Sequence, residues 1–118
     1  MSDYLPLYRP GQTLTFRATA AITGGTPVEL GISDWSIQPA AADSLKVVGI
    51  AGHDAAIGDQ VTVESGRVVH ELTAGAAITR GSLLGPAGNG KVKTVTAGAV
   101  WLALNSAAAG QTVAAMQL

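Results

Sequence analysis

The sequence contains no cysteine, and it has few aromatic and few charged side chains. Without cysteine the chain forms neither disulfides nor thiolate metal sites, and it has no cysteine nucleophile. Its aromatic residues are two Trp, two Tyr and one Phe, so the core must consist mainly of Val, Leu, Ile and Ala. Because small side chains bury little apolar surface each, we expect a thin stability margin unless partner subunits add contacts.

Charge of either sign is sparse and scattered. Seven Lys and Arg oppose eight Asp and Glu, so no basic stripe is available to neutralise phosphates, and nucleic acid is not an expected partner. Residues 1–12 lack the charged and apolar regions of a signal peptide, and no stretch reaches the roughly 18 apolar residues of a membrane span. We therefore expect no membrane partner and a chain that is made and kept soluble in the cytoplasm.

Glycine and proline interrupt the sequence at intervals of roughly 8–12 residues, and the segments between them are short, rich in Val and Thr, and often alternating. This pattern predicts an all-β fold. In the first segment, alternation directs Leu14, Phe16 and Ala18 inward and Arg17 toward solvent. Residues 40–44 form either a helical turn or an irregular loop. The predicted strands are 13–20, 46–52, 60–64, 67–73, 91–96, 100–104 and 112–118.

An internal repeat organises the chain. Residues 18–25 (ATAAITGG) resemble residues 74–81 (AGAAITRG), and residues 53–61 (HDAAIGDQV) resemble residues 105–113 (NSAAAGQTV). The offset falls from 56 to 52, which predicts a four-residue insertion in the first half, within 31–44.

We predict that the repeats, approximately 14–65 and 70–118, close on each other into one pseudo-duplicated β-barrel or sandwich. They would form a single β domain over residues 13–118. Chance similarity between segments rich in Ala, Gly and Thr is the alternative.

Residues 85–92 (GPAGNGKV) match the spacing of a phosphate-binding loop. Such a loop needs Ser or Thr after its lysine to bind Mg²⁺, and a helix whose amides face the phosphates. Here Val92 follows Lys91, and a strand-like alternation follows both. The segment therefore predicts a hairpin turn rather than a nucleotide site.

Other residue pairs that could bind a metal or catalyse a reaction give only weak evidence for such a site. Residues 53–54 (His-Asp) and 70–71 (His-Glu) are adjacent pairs, which point to opposite faces of a strand, and the histidine spacing matches no zinc pattern. A metal site completed by remote carboxylates is the alternative. Residues 65–66 (Ser-Gly) predict the turn of a hairpin over 63–68 rather than a nucleophile elbow. We expect no catalytic residue, no metal site and no cofactor.

The first twelve residues differ from the rest, because they contain Pro6 and Pro10 and do not alternate. Proline restricts its own backbone conformation and that of the residue before it to extended forms, which predicts an extended N-terminal arm over 1–12. Large apolar groups on an arm favour an interface with a neighbouring protein. A frayed terminus that packs on its own domain is the alternative. The candidate interface residues are Tyr4, Leu5, Pro6, Leu7 and Tyr8, together with Trp35 in the insertion.

Four segments in this order, 8–16 (YRPGQTLTF), 20–28 (AAITGGTPV), 46–61 and 66–74 (GRVVHELTA), resemble the phage capsid cement or head decoration proteins. The resemblance covers residues 8–118. These are small β-rich proteins, and some of them carry a recombinase name. This chain lacks both the hydroxyl after Lys91 and the α/β alternation that a recombinase ATPase requires.

The resemblance implies a protein that binds the outside of a tailed-phage head and strengthens it. Its partners would be the major capsid protein and two further copies of itself, in a homotrimer at local three-fold positions. It would be made in the host cytoplasm and reside on the exterior of the virion, and no catalytic residue is implied. The alternatives are another virion accessory protein, such as a tail or baseplate module, and a carbohydrate-binding β-sandwich, in which clustered aromatics would be expected.

Overall fold

The computed structural model describes residues 13–66 and 68–118, which contain ten strands and no helix. The described residues thus include no helix long and apolar enough to span a membrane. The predicted all-β class is confirmed. In chain order the strands are β1 (Leu14–Ala18), β2 (Pro27–Leu30), β3 (Ser36–Pro39), β4 (Val47–Ala51), β5 (Gln60–Glu64), β6 (Val69–Ala74), β7 (Leu83–Gly88), β8 (Lys91–Thr94), β9 (Trp101–Ala103) and β10 (Thr112–Gln117).

The strands form two closed five-stranded barrels rather than one. Strands pair in the order β1-β3-β2-β4-β5 in the first barrel and β6-β8-β7-β9-β10 in the second, and the last strand of each returns to the first. In both, the first and third strands are parallel and the other neighbours are antiparallel. The duplication is therefore real. Each half closes into a barrel because its fifth strand pairs with the first strand on one side and the fourth strand on the other, which leaves no unpaired edge.

The predicted insertion is divided between two loops. Ala18 pairs with Ile37 as Ala74 pairs with Val92, so the offset between the barrels drops from 56 to 55 across the β2–β3 loop. At the end of β4 the offset is 52, because the carbonyl of Ala51 accepts the N–H of Gly25 as the carbonyl of Ala103 accepts the N–H of Gly81. The first barrel thus has one extra residue between β2 and β3, and three extra residues between β3 and β4.

Three strands, β2, β3 and β7, were not predicted from the sequence. Each contains a proline, which lacks an N–H donor and argues against a strand. Pro27 begins β2, Pro39 ends β3, and Pro86 lies beside a register shift between β7 and β8, so the missing donors are tolerated. Residues 40–44, the candidate helical turn, form an irregular loop.

The predicted hairpin over residues 63–68 is wrong. Strand β5 pairs with β1 and β4, and β6 pairs with β8 and β10, so neither has a free edge for the other. Residues 65–68 instead connect the barrels. The Oγ of Ser65 donates to the carbonyl of Val48 (2.8 Å), and the N–H of Gln117 donates to the carbonyl of Val68 (2.9 Å). The connection is therefore tied to both barrels.

Each barrel encloses its own apolar core. The alternation predicted for β1 is confirmed for Phe16 and Ala18, which are buried, and for Arg17, which is exposed, while Leu14 is only half-buried against the same core. The first core contains Phe16, Ala18, Ile22, Val28, Ile37, Ala51, Val61 and Val63. The second contains Leu72, Ala74, Ile78, Leu84, Val92, Trp101, Ala103, Ala107, Val113 and Ala115, and also includes Ile50 from the first barrel.

The two cores place their large aromatic side chain on different strands. Phe16 on β1 corresponds to Leu72 on β6, whereas Trp101 on β9 corresponds to Gly49 on β4. A Cβ atom at Gly49 would collide with the carbonyl oxygen of Glu64. The first barrel therefore has no room for a side chain at the position where Trp101 fills the second.

Candidate functional site

The first His-Asp pair caps turns. The Nε2 of His53 accepts the N–H of Thr62 (3.2 Å), and its Nδ1 lies 2.9 Å from the carbonyl oxygen of Asp54. A neutral ring with its proton on Nδ1 satisfies both contacts. The Oδ1 of Asp54 accepts the N–H of Gly24 (2.7 Å). Both side chains thus hold main-chain groups of the first barrel.

The second barrel makes the same contacts with different side chains. The Oδ1 of Asn105, the counterpart of His53, accepts the N–H of Ala114 (2.9 Å). The Oγ of Ser106, the counterpart of Asp54, accepts the N–H of Arg80 (3.0 Å). An Asn-Ser pair supplies these hydrogen bonds as well as His-Asp does, so the position is structural. In the described residues, no three His, Asp or Glu side chains gather as a metal site.

The second pair points to opposite faces of β6, as expected for neighbours on a strand. Glu71 is exposed, while the Nε2 of His70 is buried without a hydrogen-bond partner among the described residues. Burial lowers the pKa of His70, and the nearby carboxylate of Glu64 opposes this by raising it, with a net lowering. The surroundings of His70 therefore favour the neutral imidazole over the charged one.

Residues 85–92 form the predicted hairpin turn. Strands β7 and β8 are joined by Asn89 and Gly90, whose φ angles of 54° and 75° are typical of a two-residue type I′ turn. A phosphate-binding loop instead leads from a strand into a helix and leaves its amides free. In this segment the backbone of Gly85 and Pro86 pairs with β8.

One buried carboxylate organises the longer β3–β4 loop of the first barrel. Glu29 is 4% exposed; its Oε1 accepts the N–H of Ala41 (2.9 Å), and its Oε2 accepts the Nε2–H of Gln38 (2.8 Å). Burial raises the pKa of Glu29, but the hydrogen bonds from Ala41, Gln38 and Ser44, with the charge of Lys46, outweigh it and lower the pKa. Glu29 therefore stays ionised and anchors the loop.

The anchored loop contacts the second barrel. The N–H of Asp43 donates to the carbonyl of Pro86 (3.0 Å), and the Nζ of Lys93 lies 2.9 Å from the carboxylate of Asp43. Asp43 has a φ of 61°, which turns the chain toward this contact. The insertion in the first barrel thus helps to join the two barrels.

Of the predicted interface residues, the structure describes Trp35. Its indole is 52% exposed and packs on Phe16, with ring centroids 5.4 Å apart and the planes tilted by 36°. The other five predicted residues, Tyr4, Leu5, Pro6, Leu7 and Tyr8, lie outside the described residues.

Trp35 lies in the β2–β3 loop beside two exposed side chains that sequence reasoning missed, Ile32 in the same loop and Leu30 at the end of β2. Leu30 is 41% exposed and Ile32 is 90% exposed, and the loop surrounds an open depression. Ser36 shapes the loop, because its buried Oγ accepts the N–H of Ser33 (3.1 Å) and donates to the carbonyl of Ser33 (2.7 Å). The position of Ile32 within the predicted insertion was the available signal for that residue, whereas Leu30 lies just before the insertion and had no such signal.

The loop also lies close to where the N-terminal residues join the barrel. Strand β3 runs parallel to β1, and its first residue, Ser36, pairs with Arg17, so the loop before β3 lies toward the end of the barrel at which β1 begins, with Trp35 packed on Phe16. The described chain begins at Thr13, immediately before that strand. Trp35 and the attachment point of residues 1–12 are therefore at the same end of the first barrel.

Other large apolar side chains are exposed on both barrels. Leu45 is 85% exposed between two open depressions where the barrels meet, and Ile57 is 72% exposed on the turn before β5. Trp101 is fully buried, so it does not form an aromatic platform with Trp35. The smaller exposures are those of Val69, Leu83, Leu104 and Leu118. This distribution suits docking against other proteins more than binding of a small molecule.

Comparison with known proteins agrees with this interpretation. The family model described as phage cement protein matches residues 8–118. The search of curated proteins found no match. Among solved structures, one similar chain is described as the crystal structure of head fiber gp8.5 N base in bacteriophage phi29, with a TM-score of 0.72 and 20% identity over 91% of this chain and 93% of that one. That likeness shows the shared fold, and the family match spans nearly the whole sequence. The chain therefore belongs to the phage cement protein family.

Proposed function

We propose that this protein decorates the outer surface of a tailed-phage head, where it binds the major capsid protein and stabilises the shell as a homotrimer at local three-fold positions. The observation that carries the proposal is the family match over residues 8–118, which supports a structural, capsid-associated role. The similar solved chain is described as the base of a head fiber, which agrees with a place on the head.

The use of the polar side chains supports a structural role. His53 and Asp54 cap turns, and Glu29 anchors a loop, so these groups serve the fold. The exposed apolar side chains of the β2–β3 loop are available for contact with other proteins. Three linked weak sites on one trimer raise avidity by about 10² to 10⁴ without new types of contact. A small barrel protein thereby achieves useful occupancy of a shell.

The arm formed by residues 1–12 belongs to this proposal. We assign it to a neighbouring subunit or to the coat lattice, with Tyr4, Leu5, Pro6, Leu7 and Tyr8 as anchors. At about 3.3 Å per extended residue, ten residues span roughly 30 Å, enough to reach an adjacent protein. It joins the barrel at the end that carries Trp35, so both would contribute to one contact region.

The central experiment adds purified protein to tailed particles whose heads lack it, followed by electron microscopy and a count of bound copies. The proposal expects saturable density on the outside of the head at local three-fold positions, and heads that survive higher temperature than undecorated ones. Density on the tail or baseplate would favour a different virion role. Failure to bind heads at all, with the protein folded, would overturn the proposal.

The contribution of the arm is tested by removing residues 2–8. The melting temperature of the barrels should hardly change, while the affinity for heads should fall at least tenfold, about 1.4 kcal/mol. A matched control replaces the same residues with Gly and Ser, which keeps the length and removes the anchors, and it should bind as weakly as the truncation. A truncated protein that melts much earlier but decorates heads at the usual concentration would assign the arm to the protein's own core.

A further inference from the structure

The two barrels of one chain meet through different faces. The second barrel contributes its β7–β8 hairpin, which we call its hairpin face, formed by Pro86, Gly88 and Gly90. The carbonyl of Pro86 accepts the N–H of Asp43, and a Cβ atom built on Gly90 would lie 2.9 Å from the Cγ2 of Thr26. A Cβ on Gly88 would lie 3.5 Å from the backbone nitrogen of Ala42. The hairpin face therefore rests directly on the first barrel.

The first barrel contributes the outer side of β2 and β4, which we call its receiving face, formed by Thr26, Pro27 and Ile50. Pro27 and Ile50 are partners in register on these two strands. Pro27 is fully buried, and Ile50 is 3% exposed and packs within the core cluster of the second barrel. Contact with the second barrel thus covers this side of the first.

The counterpart of the hairpin face on the first barrel is open. The register of the strands makes Leu30 equivalent to Pro86, because Leu30 pairs with Ile37 as Pro86 pairs with Val92. Ile32 and Trp35 follow Leu30 in the loop that replaces the tight turn around Gly88 and Gly90. On the second barrel, Pro86 is fully buried. The first barrel's hairpin face instead carries three of its large exposed apolar side chains, with exposed fractions of 41% for Leu30, 90% for Ile32 and 52% for Trp35.

The counterpart of the receiving face on the second barrel is open as well. Leu83 corresponds to Pro27 and Leu102 to Ile50, and the two leucines are partners in register as their counterparts are. Leu83 is 42% exposed, whereas Pro27 is fully buried. Ser82, which precedes Leu83, corresponds to Thr26. Each chain therefore has two copies of each face: one is buried in the contact between its own barrels, and the other is exposed.

The contact between the barrels is heterologous, because a two-fold arrangement would bury the same face on both. Heterologous contacts repeat head to tail and close into a ring when the rotation allows. The two open faces of one chain do not meet each other, since Leu30 and Leu83 are both exposed. A second copy of the chain carries the complementary face for each of them.

The composition of the open hairpin face fits a contact between separate chains. The contact within the chain is held by the connection at residues 65–68, and its hairpin face needs only Pro and Gly. A contact between chains must also overcome the loss of translational and rotational freedom, which favours larger buried apolar anchors. Leu30, Ile32 and Trp35 are anchors of that kind.

We propose that the hairpin face of the first barrel (Leu30, Ile32, Trp35) docks on the receiving face of the second barrel (Ser82, Leu83, Leu102) of another copy. The contact between chains repeats the contact within each chain. This deepens the self-association part of the proposed function. In a homotrimer it produces a ring of six barrels, joined alternately within and between chains.

Cysteine trapping tests the contact directly, because the chain has no cysteine of its own. Within the chain, a Cβ on Gly90 would lie 3.4 Å from the Cβ of Thr26, close to the spacing of a disulfide. The equivalent pair between chains is Trp35→Cys and Ser82→Cys. Mixing the two single variants under mild oxidation should yield a disulfide-linked dimer, and the double variant should yield covalent closed rings.

The matched control pairs Ser82→Cys with Ile57→Cys, which lies outside both faces and is more exposed than Trp35, at 72% against 52%. The Trp35 and Ser82 pair should give at least tenfold more product than this control. The reactions are run in free solution and on decorated heads. Equal yields for both pairs in both settings, or stronger linkage within a single variant than between the two, would overturn the proposal.

A charge on the open face provides a second measurement. Ile32→Glu should leave the melting temperature of a dilute sample unchanged, because the side chain is 90% exposed, and should weaken self-association at least tenfold in native mass spectrometry or sedimentation. Head binding is measured separately. Heads that are decorated without the disulfide forming would refute these faces and leave the proposed function intact. Rings that form but never bind heads would support these faces and refute the proposed function.

Discussion

Replacing Glu29 by Gln tests how the first barrel holds the loop that joins it to the second. Glu29→Gln preserves the size of the side chain and removes its charge. The native carboxylate accepts from the N–H of Ala41 and the Nε2–H of Gln38 at 2.9 and 2.8 Å. A glutamine has one acceptor oxygen, so it keeps both contacts only if the amide of Gln38 turns over to accept, and the remaining hydrogen bonds lose the charge that strengthens them.

The expected loss follows from the strength of these contacts. Hydrogen bonds to charged groups contribute about 1.5–3 kcal/mol each, and the exposed loop lets water replace part of what is lost. Lys46, whose Nζ lies 3.9 Å from Glu29, is more than half exposed and adds little. We expect the free energy of unfolding to fall by about 2 kcal/mol at pH 7, which lowers the Tm by roughly 6–10 °C.

The pH dependence distinguishes the charge from simple packing. The pKa of Glu29 is lowered in the folded protein, so its contribution is present above the ordinary value of 4.5 and is lost as pH falls through the lower folded pKa. Denaturant unfolding at pH 7, 5 and 3 should therefore show a deficit of the variant that shrinks toward zero in acid. Glu71→Gln, exposed on β6, is the control and should stay within about 0.5 kcal/mol of the wild type at pH 7. A deficit that is absent at pH 7, or that persists unchanged at pH 3, would refute the reasoning.

Three further outcomes are expected. Gly49→Ala should destabilise the protein by about 2 kcal/mol or more in denaturant unfolding, since the added Cβ collides with a main-chain carbonyl of β5, whereas Gly75→Ala meets ordinary contacts and should cost less than about 0.5 kcal/mol. Trp101→Ala should lower the free energy of unfolding by about 3–5 kcal/mol by opening a cavity in the second core, and a loss below about 1 kcal/mol would show that this core collapses freely. Because burial lowers the pKa of His70, protonation opposes folding, so stability should fall as pH decreases through 6.5 and below; His70→Leu, matching Leu14 in the first barrel, should remove that decline in thermal melts between pH 7.5 and 5.

Patterns that depend on neighbours in the chain were predicted correctly from the sequence. Alternation in β1 identified Phe16 and Ala18 as buried, because successive side chains of a strand point to opposite faces. The sequence Asn89-Gly90 predicted a turn because both residues tolerate positive φ. The repeated motif at 53–61 and 105–113 predicted two equivalent turns, and both carry side-chain caps at matching positions.

Features that depend on strand pairing could not be predicted from local sequence patterns. The sequence around residues 65–66 has the composition of a hairpin turn, but β5 and β6 have no free edge for each other once each barrel has closed. Strands β2, β3 and β7 contain prolines, and their extended form is imposed by the neighbours on both sides. A histidine beside an aspartate suggests chemistry, whereas the position of His53 next to the N–H of Thr62 makes it a cap.

Composition, alternation and repeat spacing act over a few residues, and they were enough to predict an all-β chain with an internal duplication and no cysteine chemistry. Long-range packing was needed to show that each half closes its own barrel and which faces the two barrels use on each other. Leu83 and Pro27 occupy equivalent positions on equivalent strands, yet Leu83 is exposed and Pro27 is buried. Burial depends on what packs against a residue, and that partner lies far away along the chain.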